Sequence, residues 1–126
     1  MPFIQIMSLP FEEAFNLSKA ILGTNIDFSM INSIPINHIH TTWEFYISGQ
    51  YAKGENSPDF HPHSNQPIIV DLLTPDFNKN EDIKIMLESL AKTISDHTKM
   101  DLSNIFINHR HAHSGMVFDD SQIVEW

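Results

Sequence analysis

Apolar and polar positions along the chain fall into a pattern that occurs twice. Pro2 heads a short apolar run, Phe3-Ile4-Gln5-Ile6-Met7, that reads as a strand. Ser8 is placed to cap a following helix, Pro10 sits in its first turn, and Glu12 and Glu13 suit a helix N-terminus. Phe11, Ala14, Phe15, Ser18, Ile21 and Leu22 then share one helical face, and Gly23 is expected to end the helix. A second strand is expected from Ile34 to Ile47. Along it Ile39, Thr41, Trp43, Phe45 and Ile47 alternate with His38, His40, Thr42, Glu44 and Tyr46. The second half follows the same order. Pro67 to Leu73 is an apolar strand behind a proline. Asn80 is expected to cap a helix whose Ile83, Met86, Leu87, Leu90, Ala91 and Ile94 form a core-facing stripe. The last long strand should run from Asn104 to about His111, and Met116 to Trp126 should fold back as a small hairpin around Asp119-Asp120-Ser121.

This order predicts an α+β chain. Two βαβ units, each a parallel strand pair with a crossover helix, join into a four-stranded mixed sheet with two helices on one face. The expected organisation is a single domain over 1–126, with halves at 2–47 and 67–113, a polar linker loop over 48–66 and a hairpin over 114–126. The sheet face without helices and its open edges then call for oligomerisation.

Composition narrows the function classes. A length of 126 residues with 41% hydrophobic positions suits a single globular core. The net charge of −9, with Arg110 as the single arginine, argues against nucleic-acid or anionic-membrane partners. The absence of cysteine excludes disulfides, zinc-thiolate sites and thiol nucleophiles. No run approaches membrane-spanning length and no signal-peptide pattern opens the chain, so a cytoplasmic location is expected.

Pro2 is the main candidate for chemistry. An initiator methionine followed by proline is commonly trimmed, which would leave a free secondary amine at Pro2. An α-amino group titrates at roughly 7.7–8.0, and desolvation at a buried strand end lowers that value because the charged form loses hydration. The neutral amine is a competent base or nucleophile near neutral pH.

A proline heading the first strand of a doubled βαβ chain resembles the tautomerase superfamily. Within it, the likeness is to the longer members typified by macrophage migration inhibitory factor and 5-carboxymethyl-2-hydroxymuconate isomerase. The segment Asp101-Leu102-Ser103-Asn104-Ile105-Phe106-Ile107-Asn108 is similar to the one leading into that factor's last long strand, and the tail through Phe118-Asp119-Asp120-Ser121 is similar in length and turn character. The resemblance implies a homotrimer with a pocket at each subunit boundary, and keto–enol tautomerisation of a small carbonyl compound with Pro2 as general base and no cofactor. Phe106 would line a neighbouring subunit's pocket and Asn108 would supply a polar contact there; Asn108, Arg110 or a backbone N–H would be the donor to the enolate oxygen. The chain departs from the pattern at Ile31-Asn32-Ser33-Ile34-Pro35, where no lysine precedes the second strand. Arg110 and Lys19 are the remaining candidate cations, so a monocarboxylate or phenylpyruvate-like enol, or no physiological substrate at all, fits better than a dicarboxylate.

The 8 histidines offer an alternative. His38/His40, His61/His63 and His109/His111/His113 each share a strand face at i, i+2 spacing, which suits zinc, nickel or copper chelation in a non-catalytic trimer. No HExxH, cysteine or interleaved carboxylate supports that chemistry, so the site is read as containing no metal and the rows as wet polar surface. His97, near the end of the second helix, is read as meeting the helix dipole.

Overall fold

Strand alternation decides which side of the sheet meets the helices. In β1 (Phe3–Ser8), Ile4, Ile6 and Ser8 are buried while Phe3, Gln5 and Met7 are half-buried. In β3 (Ile68–Pro75), Ile68, Val70, Leu72 and Thr74 are buried and the intervening residues half-buried. The computed structural model describes residues 1–11, 13–59 and 68–126. Its remaining elements are α1 (Leu17–Asn32), β2 (His40–Phe45), α2 (Asn80–Thr98), β4 (Ile105–Ala112), β5 (Val117–Asp119) and β6 (Gln122–Val124).

The four long strands form one mixed sheet in the order β2-β1-β3-β4. β1 and β2 are parallel, as are β3 and β4, and the two pairs meet through the antiparallel β1–β3 ladder. Ala20 and Phe28 from α1 and Met86, Leu90 and Ile94 from α2 join Ile4, Ile6, Ile68, Val70 and Leu72 in one core, so both helices cover the same sheet face. This is the predicted fold class. Burying each large apolar side chain contributes roughly 1.5–3 kcal/mol. The helix-free face carries Gln5, Asp71, Asn108 and Arg110 among Phe3, Met7, Ile69, Leu73 and Phe106.

The first helix departs from expectation at both ends. It begins at Leu17 behind an Asn16 cap, whose Oδ1 accepts the Lys19 N–H at 3.0 Å, rather than behind Ser8. Ser8 is already engaged, because its hydroxyl donates to the Leu9 carbonyl and accepts the Trp43 indole N–H at 2.9 Å. Phe11 and Phe15 are not on the helix. They pack on each other and on Trp43, with ring centroids 4.3 Å apart and 6.3 and 6.0 Å from the indole. The helix then runs through Gly23 and stops at Asn32, where Ser33 turns left-handed and Pro35 blocks continuation. Its buried residues are Ala20, Thr24 and Phe28, whereas Leu22 is exposed.

The second strand is shorter than expected. A 3₁₀ turn over Ile36–His38 precedes β2, and only Ile39 and Trp43 of the proposed apolar row are buried. Phe45 and Ile47 face solvent. The α2 stripe matches the expected one, with Leu87 and Ala91 half-buried at its margin. Asn80, however, is the first helical residue, and the cap at Lys79 makes no side-chain hydrogen bond. Glu81 and Asp82 in the first turn favour that end through the helix dipole. In the C-terminal hairpin, Asp120 and Ser121 both have positive φ (48° and 65°), the two-residue turn that matches strand twist. Pro67, the linker from residue 60 and His61/His63 lie outside the described residues.

Candidate active site

Pro2 is buried at the head of β1, and its carbonyl accepts the His40 N–H at 3.1 Å, extending the parallel ladder by one bond. The chain leaving α1 through Ser33, Ile34 and Pro35 passes this strand end, and so does the β3–α2 connection. Between them lies a cleft of about 180 Å³ that Met1, Pro2, His38, Thr74, Phe77 and Asn78 help to line. Asn78 shapes the connection by donating its Nδ2 to the Pro75 carbonyl at 2.8 Å. Burial lowers the pKa of the amine at Met1 below the ordinary α-amino value, and the Asp119 carboxylate opposes that shift. An amine at this strand end is therefore biased towards its neutral form.

The same connection anchors the C-terminal tail. Asp76 accepts the Trp126 indole N–H on one carboxylate oxygen at 2.7 Å, and His113 Nδ1 lies 3.0 Å from the other. These bonds, Trp126 first and His113 second, hold Asp76 below the usual carboxylate range. The Phe77 ring, which borders the cleft, meets the Trp126 indole edge-on at 6.0 Å. Cleft wall and tail thus share one loop.

Phe106, Asn108 and Arg110 follow one another down the helix-free face of the edge strand β4. Arg110 pairs with Leu73 and thereby with Phe3, next to Pro2; Asn108 pairs with Asp71 and thereby with Gln5; Phe106 pairs with Ile69 and thereby with Met7. At roughly 3.3 Å per residue, Phe106 sits about 17 Å along the sheet from the row of Pro2. One chain therefore does not bring Pro2 and Phe106 together. Arg110 is at the Pro2 end, but Asp71 engages it, with Nε 2.8 and 3.0 Å from the two carboxylate oxygens and Nη2 at 2.6 Å. Those bonds, and the Asp71 charge after them, raise the guanidinium pKa further. Lys19 lies on α1, far in sequence and in layer from this face.

Several of the described histidines have separate local partners. His109 Nε2 lies 2.7 Å from the Thr74 hydroxyl and its ring meets His111 edge-on at 4.8 Å. Burial lowers the His109 pKa, the His111 charge adds to that, and Asp71 opposes it. His97 bonds Asp27 across the helices at 2.7 Å, a partner that the dipole reading did not include. Among the described residues, no three histidine or acidic side chains converge as a metal site. Sequence reasoning missed His38, Thr74, Phe77 and Asn78 as cleft residues. For Phe77 and Asn78 the one visible signal was position, since residues just past a strand's C-terminal end in a βαβ unit gather at the sheet's rim.

Solved structures share the fold. The native fused 4-OT structure matches with a TM-score of 0.79 at 12% identity, covering 96% of this chain and 94% of that one. The F6 fused 4-OT wild-type asymmetric trimer gives 0.78 at 10% identity over 96% and 94%. The macrophage migration inhibitory factor-like protein of Entamoeba histolytica gives 0.68 at 14% identity over 94% and 95%. All are members of the tautomerase superfamily, and this chain has their fold. No family model and no curated protein sequence matches it.

Proposed function

We propose that the chain is a homotrimeric tautomerase acting on a small enolisable carbonyl compound, with Pro2 as general base once Met1 has been removed. The observation that carries this reading is the buried position of Pro2 at a cleft where burial already lowers an amine's pKa. The base takes a proton α to the carbonyl and returns it to a different atom, so the reaction needs no external oxidant or reductant. One positioned base is worth about 10²–10⁴-fold. Donors at the cleft rim would hold the developing enolate oxygen; His38 and Asn78 line the cleft, and Arg110 contributes only if it gives up part of its bonding to Asp71. The trimer reading is supported by two features. The cleft of about 180 Å³ is smaller than the roughly 300–1,000 Å³ of typical small-molecule sites, and Phe106 is too far from Pro2 within one chain.

The test compares trimmed protein with protein retaining Met1, using phenylpyruvate and ultraviolet detection. Acylation by Met1 draws the Pro2 lone pair into an amide, so activity should appear only in the trimmed form, with a rate rising through an amine pKa. Equal rates in both forms would remove Pro2 from the mechanism. Light scattering showing a stable 14.5 kDa monomer would remove the trimer.

A further inference from the structure

The outer face of α1 is apolar where a surface helix ordinarily turns charged residues to water. Leu22, Ile26 and Met30 follow one another at i, i+4 and i+8, and are 60%, 47% and 75% exposed. The charged residues of this helix are Lys19 and Asp27, and Asp27 is already engaged by His97 at 2.7 Å. Beside the apolar ridge runs a groove of about 570 Å³, bordered by Lys19, Leu22, Gly23, Ile26 and His97. Gly23 contributes no side chain to it, and the His97 ring lies against that glycine. At the C-terminal end of α1, the exposed Ile31 and Ile85 border a hollow together with Ser33 and Asp82. Neither Lys19 nor Asp82 forms an ion pair among the described residues.

We propose that this face docks a second copy of the chain, α1 against α1 in antiparallel register about a two-fold axis at Ile26. A ridge at i, i+4 spacing beside an open groove is what the commonest helix packing class interdigitates. In this register Ile26 meets Ile26, and the flexible Met30 of one copy comes opposite Leu22 of the other and enters the groove at Gly23. The same register carries Lys19 to the far end of the other copy's α1. That end has no basic residue in its last turn, so an arriving cation meets the uncompensated end of the helix dipole. Asp82 stands there as well, and two-fold symmetry makes the Lys19–Asp82 contact twice. A second copy satisfies both charges at once, whereas an acidic partner would answer Lys19 and repel Asp82. The net charge of −9 likewise disfavours an anionic membrane as the occupant. A contact centred on one helix pair, each about 24 Å long at 1.5 Å per residue, falls at the low end of interface sizes, so the association is reversible.

The inference is independent of the trimer and of Pro2, because α1 lies on the sheet face opposite the one left free of helices, and the contact joins units of one chain or of three alike. The chain has no cysteine, so a single introduced thiol reports the contact cleanly. Under mild oxidation Ile26→Cys should form a two-chain species on a denaturing, non-reducing gel about tenfold faster than Lys92→Cys, because a disulfide needs Cα atoms within about 7 Å. Lys92 is an exposed α2 residue off the ridge. In sedimentation velocity the parent's mass should rise with concentration, and Ile26→Asp should hold it at the base value. Lys19→Glu should weaken the association several-fold by opposing like charges twice, and Lys19→Glu with Asp82→Lys should restore it. If Asp82→Lys lowers the melting temperature, the cross-linking and Ile26→Asp arms decide alone. Equal cross-linking rates at the two positions, a mass independent of concentration up to the millimolar range, or undiminished association in Ile26→Asp would each overturn the proposal.

Discussion

Gly23 is where a single methyl group should report on how the two helices are joined. Its backbone is ordinary helix, so alanine there meets no conformational barrier. A Cβ at that position would lie 2.3 Å from His97 Cε1, 2.7 Å from Nδ1 and 2.8 Å from Nε2. All three are ring atoms at the end of a side chain, so the ring must swing away and the backbone need not. In doing so it loses the 2.7 Å bond between Nε2 and Asp27 Oδ2. With side chains 30% and 42% exposed, that pair is worth about 0.5–1 kcal/mol. Against this loss, glycine to alanine inside a helix gains about 0.5–1 kcal/mol. Gly23→Ala alone should therefore leave stability nearly unchanged. In a His97→Ala background the loss has already been taken, and the same substitution should stabilise by the full helix-propensity gain. Urea unfolding of the parent, both single variants and the double variant gives the coupling, expected near 0.5–1 kcal/mol. If Gly23→Ala stabilises equally in both backgrounds, the ring does not occupy the space over Gly23 and the reasoning fails.

Asp76→Asn should release the tail, seen as a shift of Trp126 fluorescence. Because the folded Asp76 titrates below its unfolded value, its contribution is present above about pH 3.9 and is lost as pH falls through the lowered folded pKa. His109 also titrates below its unfolded value, so the unfolded chain binds more protons there. Its contribution is full above about pH 6.5, declines as pH falls through the folded pKa, and should be absent in His109→Gln when urea midpoints are compared across that range. Phe28→Ala, at a site with 0% exposure, should cost about 3–5 kcal/mol in urea unfolding; a cost under 1 kcal/mol would mean that α1 is not seated on the sheet.

The strands and α2 were legible because each buries one regular face. Ile68, Val70 and Leu72 alternate with half-buried residues, and Ile83, Met86, Leu90 and Ile94 keep one helical period. The segment before α1 was not legible, because its signals had two readings. Ser8 is a good cap by type, but Trp43 lies 35 residues away in sequence and takes its hydroxyl as an acceptor. Phe11 and Phe15 have helical spacing, yet their rings serve the same indole from irregular backbone. Gly23 resembled a stop and proved to be a space for the His97 ring. In each case a tertiary partner decided what local propensity left open. The candidate site divided in the same way. Pro2 was visible from its place in the chain, whereas Thr74, Phe77 and Asn78 follow no motif and become noticeable only once the cleft beside Pro2 is seen.

The geometry of the sheet bears on why one chain is an incomplete unit for the proposed reaction. β1 runs antiparallel to β3, so the head of β1 meets the C-terminal ends of β3 and β4, while Phe106 near the start of β4 lies at the other end. Pro2 and Phe106 are therefore separated by the length of a strand, and no side-chain motion spans about 17 Å at 3.3 Å per residue. Each end also has its own cavity, one near 180 Å³ with the amine and one near 370 Å³ with a cation and a wide apolar wall. A substrate that needs both the Pro2 amine and the Phe106 wall can find them together only where the amine end of one subunit meets the Phe106 end of another. The edge strand β4, unpaired on its outer side among the described residues, provides a surface for such a meeting. In this reading the assembly and the chemistry share one cause, the antiparallel joining of the two βαβ units.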